Sequence, residues 1–247
     1  MLRCILFFYT HIRVGVTRIV TISFVIKGFI TFVLAQTNRR DGMSQEIFEI
    51  IKKLDLEMLE TQLVLQCSPV LAGLKISNLL NVTKEQYYVL EHVLYATDFS
   101  YYILLEKGDR VSLLIYAKDL LENYLQEKKV KHILQAQGYV YDSLDNMLSL
   151  LAKRYKRYSL SKDEFPHEMG LFLGYPVEDV QGFIQNQGKN FLCMGYWKVY
   201  KDKNEKTSLF EQFDKAKEWM IILVSNGIDL LEATEILRKG QLYSICK

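Results

Sequence analysis

Proline is scarce in this chain: among 247 residues there are three, Pro69, Pro166 and Pro176. Few interruptions of this kind favour long helices, since an interior proline removes a donor and crowds the preceding turn. Cysteine is scarce too, with four residues and no C-x-x-C pair. Residues 43–247 hold three of them, Cys67, Cys193 and Cys246, an odd count that argues against a disulfide framework, is too few for a cysteine-only iron–sulfur site and fits a reducing cytosol. There is no G-x-G-x-x-G, no low-complexity linker, no internal repeat and no heptad run. The zincin pattern fails because Leu171 stands where a second histidine would follow His167-Glu168. Gly182 to Asn190 fails as a phosphate loop: five residues separate the glycines, and Asn190 follows Lys189. No set of metal ligands is expected.

A strong charge of either sign is also missing, the formal net charge being +2. Even that small excess is local. Residues 1–42 carry six Lys/Arg and one acid; removing them from the 31 bases and 29 acids leaves 25 and 28. The remainder is therefore slightly acidic, which gives no strong nucleic-acid signal.

The first forty-two residues read unlike the rest. Ile19 to Ala35 is mostly apolar but is broken by Lys27, whereas a membrane span needs roughly twenty apolar residues. Val33-Leu34-Ala35 resembles a signal-peptide cleavage site after an overlong approach. A third reading treats the segment as translated upstream DNA. Arg39-Arg40 can be encoded as a ribosome-binding sequence, and Met43 then opens Ser44-Gln45-Glu46, an N-cap before an amphipathic helix. The expected division is residues 1–42 as a mis-called extension and 43–247 as one domain. A membrane anchor through residues 19–35 is the alternative, and a membrane partner follows only if residues 1–42 are translated. The expected location is the cytoplasm.

The pattern in 43–247 predicts an α+β fold, a helix-rich single domain around a small, mainly antiparallel sheet. Helices are expected from Ser44, over Leu56–Gln66, over Val70–Leu80 with Pro69 in the first turn, and over Thr83–Leu94. Tyr101–Leu105 and Val111–Tyr116 read as a hairpin with a five-residue polar turn. Helical spacing returns at Lys118–Lys129, Ser143–Tyr158, Glu205–Ser225 and Asp229–Lys239, with Gly227 as the stop between the last two. Asn190–Tyr200 is aromatic and β-branched enough for a strand.

The densest chemistry lies at Phe165–Ile184, with one histidine, three acids, three glycines and two of the three prolines. Pro166 suits a helix start, placing His167 and Glu168 near a positive dipole end; as neighbours on a helix they do not face each other. Gly174-Tyr175-Pro176 predicts a sharp turn into a second helix carrying Glu178 and Asp179 in its first turn. On a strand, Tyr196, Lys198 and Tyr200 would share one face, and Cys193, Gly195, Trp197 and Val199 the other. Gly195 beside Trp197 suggests a ring lying over bare backbone.

The block, with Gly188-Lys189-Asn190 and Gly195-Tyr196-Trp197-Lys198-Val199-Tyr200, resembles an uncharacterised family of mainly anaerobic Gram-positive bacteria, domain of unknown function 3793. The resemblance extends to Gln66-Cys67-Ser68-Pro69, Gly73-Leu74-Lys75 and Ser77-Asn78-Leu79-Leu80, and spans about Met43 to the last third of the chain. It implies no reaction, ligand or cofactor.

Three functional readings follow from the residues. A small-ligand or cofactor-binding protein would use His167, Glu168, Asp179, Lys189, Asn190 and Lys198 as polar contacts and Tyr196 or Trp197 for stacking, with the cofactor unknown. A thiol-dependent acyl- or group-transfer enzyme would use Cys67 as nucleophile and His167 as base. A partner- or RNA-binding module would use the basic run Lys153-Arg154-Tyr155-Lys156-Arg157-Tyr158, for instance against an acidic redox carrier. Each has a plainer counterpart: Glu168 complementing a helix dipole, Cys67 buried, aromatics packing a sheet, and cations capping a helix end.

Overall fold

The computed structural model describes residues 45–95, 97–161 and 164–240. The expectations for residues 1–42, the apolar run at 19–35 included, lie outside the described residues, as does Cys246. Among the described residues, no helix is long and apolar enough to cross a membrane.

The fold is α+β, as the pattern predicts. Its elements run α1 (Gln45–Ile51), α2 (Leu59–Leu71), β1 (Ser77–Thr83), α3 (Lys84–Leu94), β2 (Phe99–Lys107), β3 (Arg110–Ala117), α4 (Lys118–Gln126) and α5 (Lys128–Ala136). They continue through α6 (Leu144–Ser161), α7 (Met169–Phe172), α8 (Val177–Gln185), β4 (Cys193–Met194), β5 (Lys198–Val199), α9 (Lys203–Ser225) and α10 (Leu230–Arg238). The main sheet is antiparallel in the order β1-β3-β2, and β4 and β5 form a separate small hairpin.

β3 is buried along nearly its whole length because helices cover both sheet faces. Val111, Leu113 and Ile115 point into a core built with α1, α2, α3, α9 and α10. Leu114 and Tyr116 point into a second core built with α4 to α8. Alternation of side chains along the strand divides its residues between the two cores. Ser112, buried in the second face, is satisfied by Asn81 Oδ1 at 2.7 Å.

Three expected elements differ, the first being Lys118–Lys129, which is broken at Glu127 into α4 and α5. The run 70–80 is not a helix: α2 continues through Pro69 to Leu71, and Ser77–Thr83 pairs with β3 from Ser77↔Tyr116 to Thr83↔Arg110. Seven cross-strand pairs override a leucine-rich local preference that is compatible with either state. The outer edge of β1 is partly closed by Gln66, whose side chain accepts from Asn81 N at 3.0 Å and donates to Asn81 O at 3.1 Å. The run 190–200 is not one strand but a tight hairpin, turned where Gly195 N donates to Trp197 O at 2.9 Å. The β2–β3 turn is also shorter than expected, since pairing persists to Lys107↔Arg110 and leaves only Gly108 and Asp109 between the strands. The helix expected over Thr83–Leu94 forms as α3, with Thr83 as its N-cap in a reciprocal capping box with Gln86.

Candidate functional site

The Phe165–Ile184 block folds as short α7, a sharp turn, and α8. Gly174 has φ +70°, and the turn is closed by Gly174 N to Leu171 O and Tyr175 N to Gly170 O, both at 2.9 Å. These two bonds are those of a Schellman stop, which glycine supplies without a Cβ penalty. Glycine is required here for space as well: a Cβ on Gly174 would stand 2.4 Å from Ile76 Cγ1. Pro176 then caps α8.

The two buried carboxylates of the block are both structural anchors. Glu168 accepts from Arg154 Nη1 at 2.7 Å and from Tyr139 Oη at 3.2 Å, tying the start of α7 to α6. Asp179 accepts from Trp197 Nε1 at 2.7 Å through Oδ2, and from Tyr200 N at 2.7 Å and Lys201 N at 3.2 Å through Oδ1. It pins the β4–β5 hairpin onto the first turn of α8. Trp197 in turn stacks on Tyr175, with centroids 4.8 Å apart, and meets the edge of Phe210 at 4.6 Å.

Between these anchors lies a cavity of about 60 Å³. Tyr155, Phe165, Phe183 and Trp197 supply its aromatic walls, with His167 and Lys198 among its polar residues. The imidazole of His167 is 5.2 Å from the Phe183 ring and 5.9 Å from Phe165. Its Nδ1 is buried without a hydrogen-bond partner, while Nε2 lies 3.8 Å from Glu164 Oε1. Lys198 Nζ donates to Gly188 O at 2.6 Å and sits 4.8 Å from the Phe191 centroid.

The cavity therefore brings together His167, Asp179, Trp197 and Lys198 of the predicted site. Glu168 is turned toward α6 instead. Lys189 and Asn190 are exposed, with Asn190 in the left-handed region at φ +56° and its amide 3.3 Å from Asn186 Oδ1. Tyr196 does not share a face with Lys198, because the hairpin turn carries it onto α9. There its hydroxyl donates to Asp214 Oδ1 at 2.8 Å, and burial, reinforced by Asp214, pushes its ionisation far up. Nor does Trp197 cover Gly195: the Phe210 ring does, 2.0 Å from where a Cβ would be.

Cys67 lies within α2, fully buried in the core on the opposite side of the sheet, and does not line the cavity. Burial pushes its thiol up to about 12, the reverse of what a nucleophile requires. The expected placement before a helix N-terminus fails because Pro69 does not start a helix. The basic run divides in fate: Arg154 is held by Glu168, Tyr155 is buried, and Lys153, Lys156 and Arg157 are exposed.

Sequence reasoning missed Lys75. Its ammonium is buried, donates to Asn78 Oδ1 at 2.6 Å and lies 5.3 Å from the Tyr175 ring centroid. Burial brings it down to about 7, with Cys67 opposing. The available signal was its isolation, as the one charge between Pro69 and Leu80. The cavity walls Tyr155, Phe165 and Phe183 were missed as well, though the two phenylalanines bracket the histidine and glycine block. Among the described residues, no group of three His, Cys, Asp or Glu could hold a metal ion.

The sequence runs at 66–80 and 165–200 meet along the β1 edge. Ser77 Oγ donates to Phe172 O at 2.5 Å, Leu79 lines the cavity, and Lys75 approaches Tyr175. No curated protein and no solved structure matches the chain. A family model described as Protein of unknown function (DUF3793) matches residues 63–234, a stretch that holds both runs and every wall of the cavity. On that match over more than two thirds of its length, the chain belongs to the DUF3793 family.

Proposed function

We propose that this protein binds a small molecule, in the cytosol, with one end of that molecule seated in the cavity between α6, α8 and the β4–β5 hairpin. The observation that carries this reading is His167 Nδ1, a buried polar atom without a partner in the wall of an otherwise largely apolar, aromatic cavity. Buried polar atoms are nearly always paired, and an exception at a cavity wall points to a missing partner. The neighbouring polar groups support the same reading by contrast, since Asp179 and Trp197 are spent on each other and on backbone.

The enclosed space is small. A pocket of about 150 Å³ takes benzene, and the space here is about 60 Å³. The cavity thus takes a short group of a few heavy atoms, and the rest of a larger ligand would leave past His167, whose side chain is 29% exposed.

Native mass spectrometry of the gently purified full chain tests the reading, together with tryptophan fluorescence during a fragment titration. The expected result is a co-purifying mass, or a fragment that shifts emission in the parent but not after Trp197→Phe. A clean apo mass, with no fragment perturbing Trp197 or the His167 ring, would overturn it.

A further inference from the structure

We infer that the group seated in the cavity is a hydroxyl at the end of a short apolar chain, donating its hydrogen to Nδ1 of His167. This rests on the ligand-binding reading above and names the chemistry of that ligand. Of the side chains lining the cavity, only His167 has a buried polar atom left without a partner among the described residues. Asp179 already accepts three N–H groups through its two oxygens, and Trp197 Nε1 is one of those donors.

The direction of the missing hydrogen bond follows from the other ring nitrogen. Neutral imidazole carries one proton, and its place is set by what the two nitrogens face. Nε2 lies 3.8 Å from the Glu164 carboxylate, beyond hydrogen-bond length, and the attraction of that charge for an N–H favours the proton on Nε2 and leaves a lone pair on Nδ1. The buried atom is then an acceptor, and its partner must be a donor. A water molecule is a poor occupant, because a buried water requires two to four polar partners, and the lining side chains offer one unpaired buried atom. An alcohol brings one donor and surrounds it with methylenes that suit Leu79, Met169, Leu173 and Val180. Lys198 is held at Gly188 O and over Phe191; the competing ligand class it would favour is a carboxylate.

The test uses three probes of similar size at millimolar concentration: 1-propanol, 1-chloropropane and propionate. Long-range ¹H–¹⁵N spectra report His167 Nδ1, and the methyl signal of Met169 reports occupancy of the cavity. The expected result is that all the chain's response to 1-propanol includes an Nδ1 shift, while 1-chloropropane moves only Met169. In His167→Phe, the ratio of 1-propanol to 1-chloropropane affinity should fall roughly tenfold, the value of one hydrogen bond. If that variant does not fold, the Nδ1 shift in the parent decides. Equal Nδ1 responses to both neutral probes, or an unchanged affinity ratio, would overturn the hydroxyl assignment and leave a ligand cavity. Tightest binding by propionate would overturn it in favour of a Lys198-directed anion. If no probe moves Met169, the ligand-binding reading itself falls.

Discussion

Trp197 Nε1 donates to Asp179 Oδ2 at 2.7 Å, although eighteen residues separate them and both are buried. That bond joins the first turn of α8 to the turn of a hairpin that has only two paired positions of its own. With Tyr200 N and Lys201 N on the other oxygen, Asp179 substitutes for the long strand the hairpin lacks. The cavity wall formed by Trp197 is therefore a consequence of one carboxylate.

Asp179→Ala should cost about 2–4 kcal/mol in urea unfolding, because three N–H groups lose a charged acceptor in a buried setting. Trp197→Phe should cost less at the polar contact, since Asp179 keeps its two backbone donors. An Asp179→Ala variant within 0.5 kcal/mol of the parent, on the ordinary scale for surface changes, would show that the hairpin is held by its aromatic packing alone.

Gly195 lies beneath Phe210, with a Cβ position 2.0 Å from Phe210 Cδ2. Gly195→Ala should therefore destabilise by about 1–3 kcal/mol through overpacking. Phe210→Leu should cost on its own account, yet the double variant should lose less than the sum of the two singles. Additive losses in that cycle would mean that the ring moves aside without strain.

Much of the fold was legible because it depends on local pattern. Amphipathic spacing marks α3, Gly227 stops α9, and the Gly174-Tyr175-Pro176 turn follows from glycine and proline geometry. The failures were non-local. Ser77–Thr83 becomes a strand only because β3 lies beside it, and Pro69 is tolerated inside a helix whose packing into the core outweighs one lost donor. Of the residues named from the sequence, His167, Asp179, Trp197 and Lys198 line the cavity. The direction of Glu168 depends on Arg154 and Tyr139, and the burial of Lys75 depends on Tyr175. Neither can be read from spacing along the chain.

Lys75 predicts a pH dependence. Burial brings its ammonium from 10.5 down to about 7, so between those values the unfolded chain binds the proton and the folded chain does not. Stability must then rise with pH across that interval, by up to about 1.4 kcal/mol per pH unit. Lys217, pushed by burial down to about 8, adds a contribution of the same sign. Cys67 opposes them only above about 9, where an unfolded thiol loses the proton that the buried one keeps. Lys75 acts without Lys217 between about pH 7 and 8. Denaturation curves in that window should steepen in stability for the parent and flatten for Lys75→Met, which should also be the more stable protein at pH 7. A parallel pair of curves would mean that the buried amine does not titrate there.

The basic run on α6 divides into one structural cation and an exposed set, and mutation should separate them. Glu168→Ala leaves Arg154 and the Tyr139 hydroxyl without their shared acceptor. Arg154 is 30% exposed in its side chain and recovers some hydration, so the expected loss is about 1–3 kcal/mol and not the full cost of an isolated buried charge. Lys153→Ala and Lys156→Ala, both on exposed side chains, should each stay within about 0.5 kcal/mol of the parent. The same three variants separate stability from recognition. If this face docks single-stranded RNA or an acidic protein, the lysine variants lose binding while folding normally, and the parent's affinity falls steeply with salt, with a slope of about −0.7 per phosphate contact for RNA. Binding that survives both lysine substitutions and 0.5 M salt would instead mean that Lys153 and Lys156 only solvate the end of α6, whereas Arg154 anchors Glu168.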